Sequence, residues 1–205
     1  MSGNSRVEAS FTTKTNNMKK NILVYGLISG IVVSALMALN VANCMKTGNY
    51  DSSMVVGYAA MLIALSMIFV GIKNYRDKYN GGVISFGKAF KIGFFIALLA
   101  STIYVLVWLV EEHFFYPDFM ENYTAHELAK LHSSGLTAEE IADKTKDLEQ
   151  AREWYQNPLL KILMTYFEIL PVGIVVALIS ALILKRKTPK GHSENPGTVA
   201  GPVAG

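Results

Sequence analysis

Glu168 is the one carboxylate that falls well inside an apolar stretch of this chain, in the run Thr165-Tyr166-Phe167-Glu168-Ile169-Leu170-Pro171. A carboxyl group is costly to place in hydrocarbon, so one found there marks a proton, ion or ligand site by default. Pro171 lacks an N–H, frees the carbonyl of Phe167 and permits a helix kink, whose loose polar groups a protonated Glu168 would help to satisfy. The plainer alternative is a structural anchor. Side chains lean toward a helix N-terminus, so Glu168 can reach outward along its own helix toward Thr165 and Lys161. Both alternatives stay open at this level.

Glu168 lies nine residues past Leu159, or ~13 Å below the outer boundary at ~1.5 Å per residue. The same depth in the other apolar runs falls near Ser34, near Ile63 with Ser66 one turn deeper, and near Ser101 and Thr102. An intramembrane polar layer of Glu168, Ser34, Ser66, Ser101 and Thr102 is therefore expected. If helices neighbour one another in chain order, Glu168 would hydrogen-bond to the third and first spans.

Other chemistry is poorly supported by spacing. His113, His126 and His132 fall in one loop, but His126-Glu127 is not followed by a histidine three residues on, as a zinc-binding helix requires. His126 and His132, six apart, point about 120° from each other on a helix, so no metal site is expected. Cys44 is the only cysteine, which excludes an intrachain disulfide and a cysteine metal cluster; it is expected as a half-buried thiol. No Ser/His/Asp set, HExxH or aspartate pair supports an enzyme. Gly81-Gly82 has no strand before it and fits neither a Walker nor a dinucleotide pattern, so no cofactor is expected.

The elements that must position these residues are four apolar runs, Ile22 to Ala42, Met54 to Ile72, Ile92 to Val110 and Leu159 to Leu184. About 20 apolar residues match a ~30 Å hydrocarbon core. With 205 residues, 51% hydrophobic content and a mean hydropathy of +0.30, little chain is left for a soluble domain. The first run imitates a signal peptide after Lys19-Lys20, but it exceeds the ~7–15 residues of such a segment. Met18 is an alternative start.

The net charge of +3 is sorted by side rather than spread as for nucleic acid, and no nucleic-acid partner is expected. Lys14, Lys19 and Lys20 precede the first run. Lys73, Arg76, Lys78, Lys88 and Lys91 separate the second and third, and Lys185, Arg186, Lys187 and Lys190 follow the fourth. Cytoplasmic N and C termini follow. The connection from Glu111 to Asn157 is rich in carboxylates and is expected outside.

That connection is too long for a structureless loop. Phe119, Tyr123, Leu128 and Leu131 recur at helical spacing, and Gly135 can end that helix. Thr137-Ala138-Glu139-Glu140 fits a capping box, and Ile141, Thr145, Leu148, Arg152 and Tyr155 form a second stripe before Asn157-Pro158 opens the last span. The fold class is all-α: a four transmembrane helix bundle with an outward-facing helical hairpin between spans 3 and 4. The third span starts early, near Phe86, with Ser85 as cap and Lys88 and Lys91 snorkelling. The spans are then about 22–42, 54–72, 86–112 and 159–184, the hairpin about 113–157, and the whole membrane domain 18–187. Segments 1–17 and 188–205, polar or rich in glycine and proline, are expected to be disordered.

Small residues recur at every fourth position: Gly26, Gly30, Ser34 and Ala38; Gly93, Ala97 and Ser101; Gly173, Ala177 and Ala181. Such ridges let helix backbones approach closely where lipid supplies no hydrophobic drive. They serve either packing within one bundle or a homo-oligomer through Gly26 and Gly30, and packing within the bundle is the expectation.

Several stretches together resemble the domain-of-unknown-function family 4199. They are Gly71-Ile72-Lys73-Asn74-Tyr75-Arg76-Asp77, the stretch Gly81-Gly82-Val83-Ile84-Ser85-Phe86-Gly87-Lys88-Ala89-Phe90-Lys91-Ile92-Gly93, Pro117-Asp118-Phe119-Met120, Glu168-Ile169-Leu170-Pro171-Val172-Gly173 and Ala181-Leu182-Ile183-Leu184-Lys185-Arg186-Lys187. The resemblance covers roughly Met18 to Lys187. It implies a four-span bacterial inner-membrane protein and assigns no catalytic role to Glu168, Pro171 or Gly173. Two functions remain: a non-enzymatic membrane bundle or assembly subunit whose hairpin meets a membrane-protein partner, and a small ion-coupled carrier using Glu168. The lipid bilayer is the common partner.

Overall fold

The computed structural model describes residues 2–186, with the side chains of residues 2–13 and Ser52 excepted. Seven helices make up the described chain: α1 (Ser2–Thr47), α2 (Tyr50–Leu65), α3 (Met67–Tyr79), α4 (Phe86–Phe114), α5 (Phe119–Ser133), α6 (Ala138–Gln156) and α7 (Pro158–Leu184). Four helical segments, Lys14–Thr47, Ser53–Tyr79, Phe86–Phe114 and Pro158–Leu184, are long and apolar enough to cross a bilayer. Their outer surface is apolar as well as their core: Leu39 is 70% exposed, Val55 71% and Phe167 78%. Water would not tolerate such a continuous surface, whereas lipid does.

Local chemistry sets the helix ends. Ser85 accepts a hydrogen bond from the Lys88 N–H at the start of α4. Thr137 and Glu140 close the reciprocal capping box of α6. Asn157 accepts from the Leu159 and Leu160 N–H groups ahead of Pro158, and Gly135 takes φ +69° between α5 and α6. The second span is divided at Ser66, whose hydroxyl donates to the Ile63 carbonyl 2.6 Å away. This back-bonding loosens the ladder between α2 and α3.

The backbone of α1 is helical from Ser2, because beyond Gly3 no glycine or proline interrupts it before the first span. The expectation for 188–205 lies outside the described residues.

The spans are not arranged as a ring in chain order. Span 1 packs on span 3 as well as on span 2, and span 4 packs on spans 3 and 2, so the ring runs α1, α4, α7, α2–α3. Packing explains the order. Side chains of α4 enter the grooves of Gly26 and Gly30, where an added Cβ would lie 2.7 Å from Leu99 Cδ2 and 2.6 Å from Ile103 Cδ1. The 26/99 and 30/103 register makes α1 and α4 parallel neighbours. On the other side of α4 the contact is reciprocal: Gly93 faces Ala177 and Gly173 faces Ala97, each 2.9 Å from an added Cβ. Ala97, Ala177 and Ala181 are fully buried. The three glycine-rich ridges are thus occupied inside one chain.

Polar stitching ties α1 to the second span. Asn21 donates to the Gly71 carbonyl (2.9 Å), Ser29 to the Ala64 carbonyl (2.9 Å) and Asn40 to the Ser53 carbonyl (2.9 Å). Asn74 in turn donates to Asn21 Oδ1 at 2.8 Å. At the basic end, Gly81 and Gly82 turn the chain with φ +65° and +77°. Ile84 and Arg186 exchange backbone bonds of 3.1 and 2.8 Å, which clips the segment before α4 to the end of α7. Lys88 reaches Asn80 Oδ1 at 3.0 Å and lies over the Tyr75 ring.

Candidate functional site

At the opposite end, the hairpin α5–α6 folds back over the bundle and leaves a cavity of about 470 Å³. Its walls come from every span and from both hairpin helices: Asn40, Val41 and Cys44 on α1, Tyr50 and Tyr58 on α2, Trp108 on α4, Phe119 and Tyr123 on α5, Tyr155 on α6, and Thr165 and Glu168 on α7. Rings hold the roof in place. Trp108 meets Phe119 edge-on with centroids 4.9 Å apart, and Tyr50 meets Tyr123 at 5.9 Å. The Trp108 indole N–H donates to the Tyr155 hydroxyl at 2.8 Å.

Glu168 is exposed to this cavity, with Tyr104 of α4 beside it. Among the described lining residues it is the only one with a carboxyl side chain. Burial raises the phenol of Tyr155, against the opposing effect of the Trp108 bond, and burial raises that of Tyr123 too. Both are therefore neutral hydroxyls, and the cavity offers one acid amid aromatic faces.

Lys161 does not serve Glu168. Its ammonium bonds both oxygens of Glu112 at 2.7 and 2.8 Å and lies 4.7 Å from the Tyr155 ring centroid. Glu112 and Lys161 are only 12% and 16% exposed, and spacing could not pair them because they lie 49 residues apart on neighbouring spans.

The expected polar layer is smaller than counting suggested. Thr102 sits at the depth of Glu168 but donates to the Leu98 carbonyl and accepts from Tyr166. Ser101 and Ser34 are buried with no hydrogen-bond partner for either hydroxyl, and Ser34 lies on α1, which packs mainly on α4 and the second span rather than on α7. Ser66 is exposed and bonded within its own helix; its neighbour Leu65 packs on Gly173, five residues or ~8 Å deeper than Glu168 at ~1.5 Å per residue. A hydroxyl can satisfy itself on a carbonyl three or four residues back, so shared depth does not bring such groups together. Pro171 lies within an uninterrupted α7, and Cys44 is buried in the cavity wall rather than half-buried.

A second cluster forms by tertiary contact. Asp51, His126 and Glu127 offer ligand atoms within 4.8 Å of one another. Lys130, however, bonds one Asp51 oxygen and holds that carboxyl below its ordinary range, while the His126 ring packs on Tyr50 at 5.0 Å. An ammonium in that position competes with any cation, and the cluster fits a hairpin clasp better than a metal centre.

No match was found among curated proteins or among solved structures. The family model described as protein of unknown function (DUF4199) matches residues 24–186, which include all four spans, the hairpin and Glu168, and the chain belongs to that family.

Proposed function

We propose that this protein is a non-enzymatic, multi-pass protein of the bacterial cytoplasmic membrane that captures a small ligand beneath an outward-facing hairpin. The observation that carries the reading is the cavity itself, with walls from four spans and a hairpin, aromatic on α2, α4 and the hairpin, around the single carboxyl group of Glu168. Lysines and arginines gathered at the opposite end support cytoplasmic termini. Close packing of Gly93 on Ala177 and Gly173 on Ala97 supports capture by a tight bundle rather than passage through a permanent pore. In reconstituted vesicles, Glu168→Gln should abolish ligand binding and any coupled flux while helical content and elution volume stay unchanged. Unaltered binding would reject the reading.

Assembly with a membrane-protein partner is the second reading, favoured by α6. None of its described residues is buried, and Trp154 is 49% exposed beside the inward stripe. A pull-down at native expression, compared with a Trp154→Ala variant, tests it: loss of a stoichiometric partner supports assembly, and no such partner speaks against it.

A further inference from the structure

We propose that the ligand of this cavity is a bulky organic ammonium ion, held between aromatic faces and neutralised by the Glu168 carboxylate; the inference rests on the capture reading above. Charge complementarity carries it. Glu168 is the only carboxyl group among the described lining residues, which include no lysine, arginine or histidine to receive an anion. Lys161, the nearest ammonium on the same helix, is already held by both oxygens of Glu112.

The walls suit the same class. Tyr58, Trp108, Phe119, Tyr123 and Tyr155 line it with aromatic rings, a class of side chain whose faces attract a weakly hydrated cation through their quadrupoles. Tyr155 already carries one ammonium, that of Lys161, at 4.7 Å from its ring centroid. A volume of about 470 Å³ admits a cation well beyond the size of a metal ion, and is far more than a proton site needs. The source is a free solute rather than a lipid headgroup, because Glu168 lies ~15 Å inward of the start of α7 by helical rise, below headgroup depth.

The chain contains two tryptophans, so Trp154→Phe leaves Trp108 in the cavity wall as the only indole reporter. That variant, in uncharged detergent, is titrated with benzyltrimethylammonium, its neutral isostere benzyltrimethylsilane, and phenylmethanesulfonate. The expected result is saturable quenching by the cation, at least tenfold tighter than by the isostere, with no response to the anion. Adding Glu168→Gln should weaken the cation at least tenfold and leave the isostere unchanged, whereas Glu168→Asp should retain most of the preference. Equal binding of cation and isostere, or no effect of Glu168→Gln on the cation, overturns the ammonium assignment but leaves ligand capture standing. No saturable response to any probe overturns capture as well. Displacement of the cation by added phosphatidylcholine would assign the site to a lipid headgroup and overturn the free-solute source.

Discussion

The ion pair of Glu112 and Lys161 shows how one residue's role depends on its partner. Both groups are largely out of solvent, and each oxygen of Glu112 is bonded to the Lys161 ammonium. Removing one partner strands a charge, which costs ~3–5 kcal/mol for a buried pair, while replacing both with apolar groups of similar size is often neutral. Lys161→Met is therefore expected to lower the unfolding midpoint in detergent sharply, and Glu112→Leu/Lys161→Met to recover most of the loss. Thermal unfolding followed by circular dichroism gives the comparison; a double variant as unstable as the single one would show that the pair does more than neutralise itself. Asn21 makes a milder case. Asn21→Ala frees the Gly71 carbonyl and the Asn74 amide together, and interhelical polar bonds of this kind are worth ~0.6–2 kcal/mol. A measurable drop in the same midpoint is expected, and no drop would mean that these groups find other partners.

At the level of elements, glycine position decides what a methyl group does. Gly87, in the first turn of α4, has nothing within 4 Å of an added Cβ, whereas Gly93 on the same helix faces Ala177 at 2.9 Å. Gly87→Ala should stabilise by up to ~1 kcal/mol through helix propensity, and Gly93→Ala should destabilise because Ala177 is itself on a rigid helix. Opposite shifts in unfolding midpoint check this directly. The hairpin has its own signature in pH. The Thr137 backbone and hydroxyl bonds hold the Glu140 carboxyl below its ordinary value. A depressed carboxyl stabilises above its unfolded pKa and loses that contribution as pH falls through the folded one. Amide exchange at the start of α6 should accordingly rise on acidification below the ordinary glutamate range, and Thr137→Ala should flatten that dependence. These ends were legible in the sequence: Ser85, Gly135, Thr137-x-x-Glu140 and Asn157-Pro158 each carry their cap within three residues. What crosses between helices was not. Asn21 meets Gly71 at a separation of 50 residues and Trp108 meets Tyr155 at 47, and such pairs depend on a ring order that no local spacing records. Glu168 was visible because a lone carboxylate contradicts its apolar run. Its aromatic cavity was not, since the rings of α2 and α4 meet those of a hairpin whose docking angle is tertiary.

For the whole molecule, the ring order is the property from which the rest follows. Parallel contact of α1 with α4 uses the Gly26 and Gly30 ridge inside the chain, and so removes the surface through which a homodimer would form at that ridge. The alternative, neighbours in chain order, would leave the same ridge facing lipid or a second copy. The two arrangements differ in one measurable contact. An added Cβ at Gly30 lies 2.9 Å from Ile103 Cβ, and disulfides need Cβ atoms ~3.5–4.5 Å apart, so the helices must part by no more than about an ångström. Truncating Ile103 to cysteine makes room for that adjustment. In a Cys44→Ser background, which removes the only native thiol, Gly30→Cys/Ile103→Cys should therefore oxidise within one chain. With a protease site inserted between α5 and α6, a cleaved and non-reduced sample would still run apart, because the bond joins two helices N-terminal to the cut. The site belongs instead between α3 and α4, where cleavage leaves the halves joined only by the disulfide. A full-length band that separates on reduction is expected at monomer size. Disulfide-linked dimers in place of that band would assign the Gly26 and Gly30 ridge to an interface between copies, and would reverse the span order from which the cavity and its single carboxylate are built.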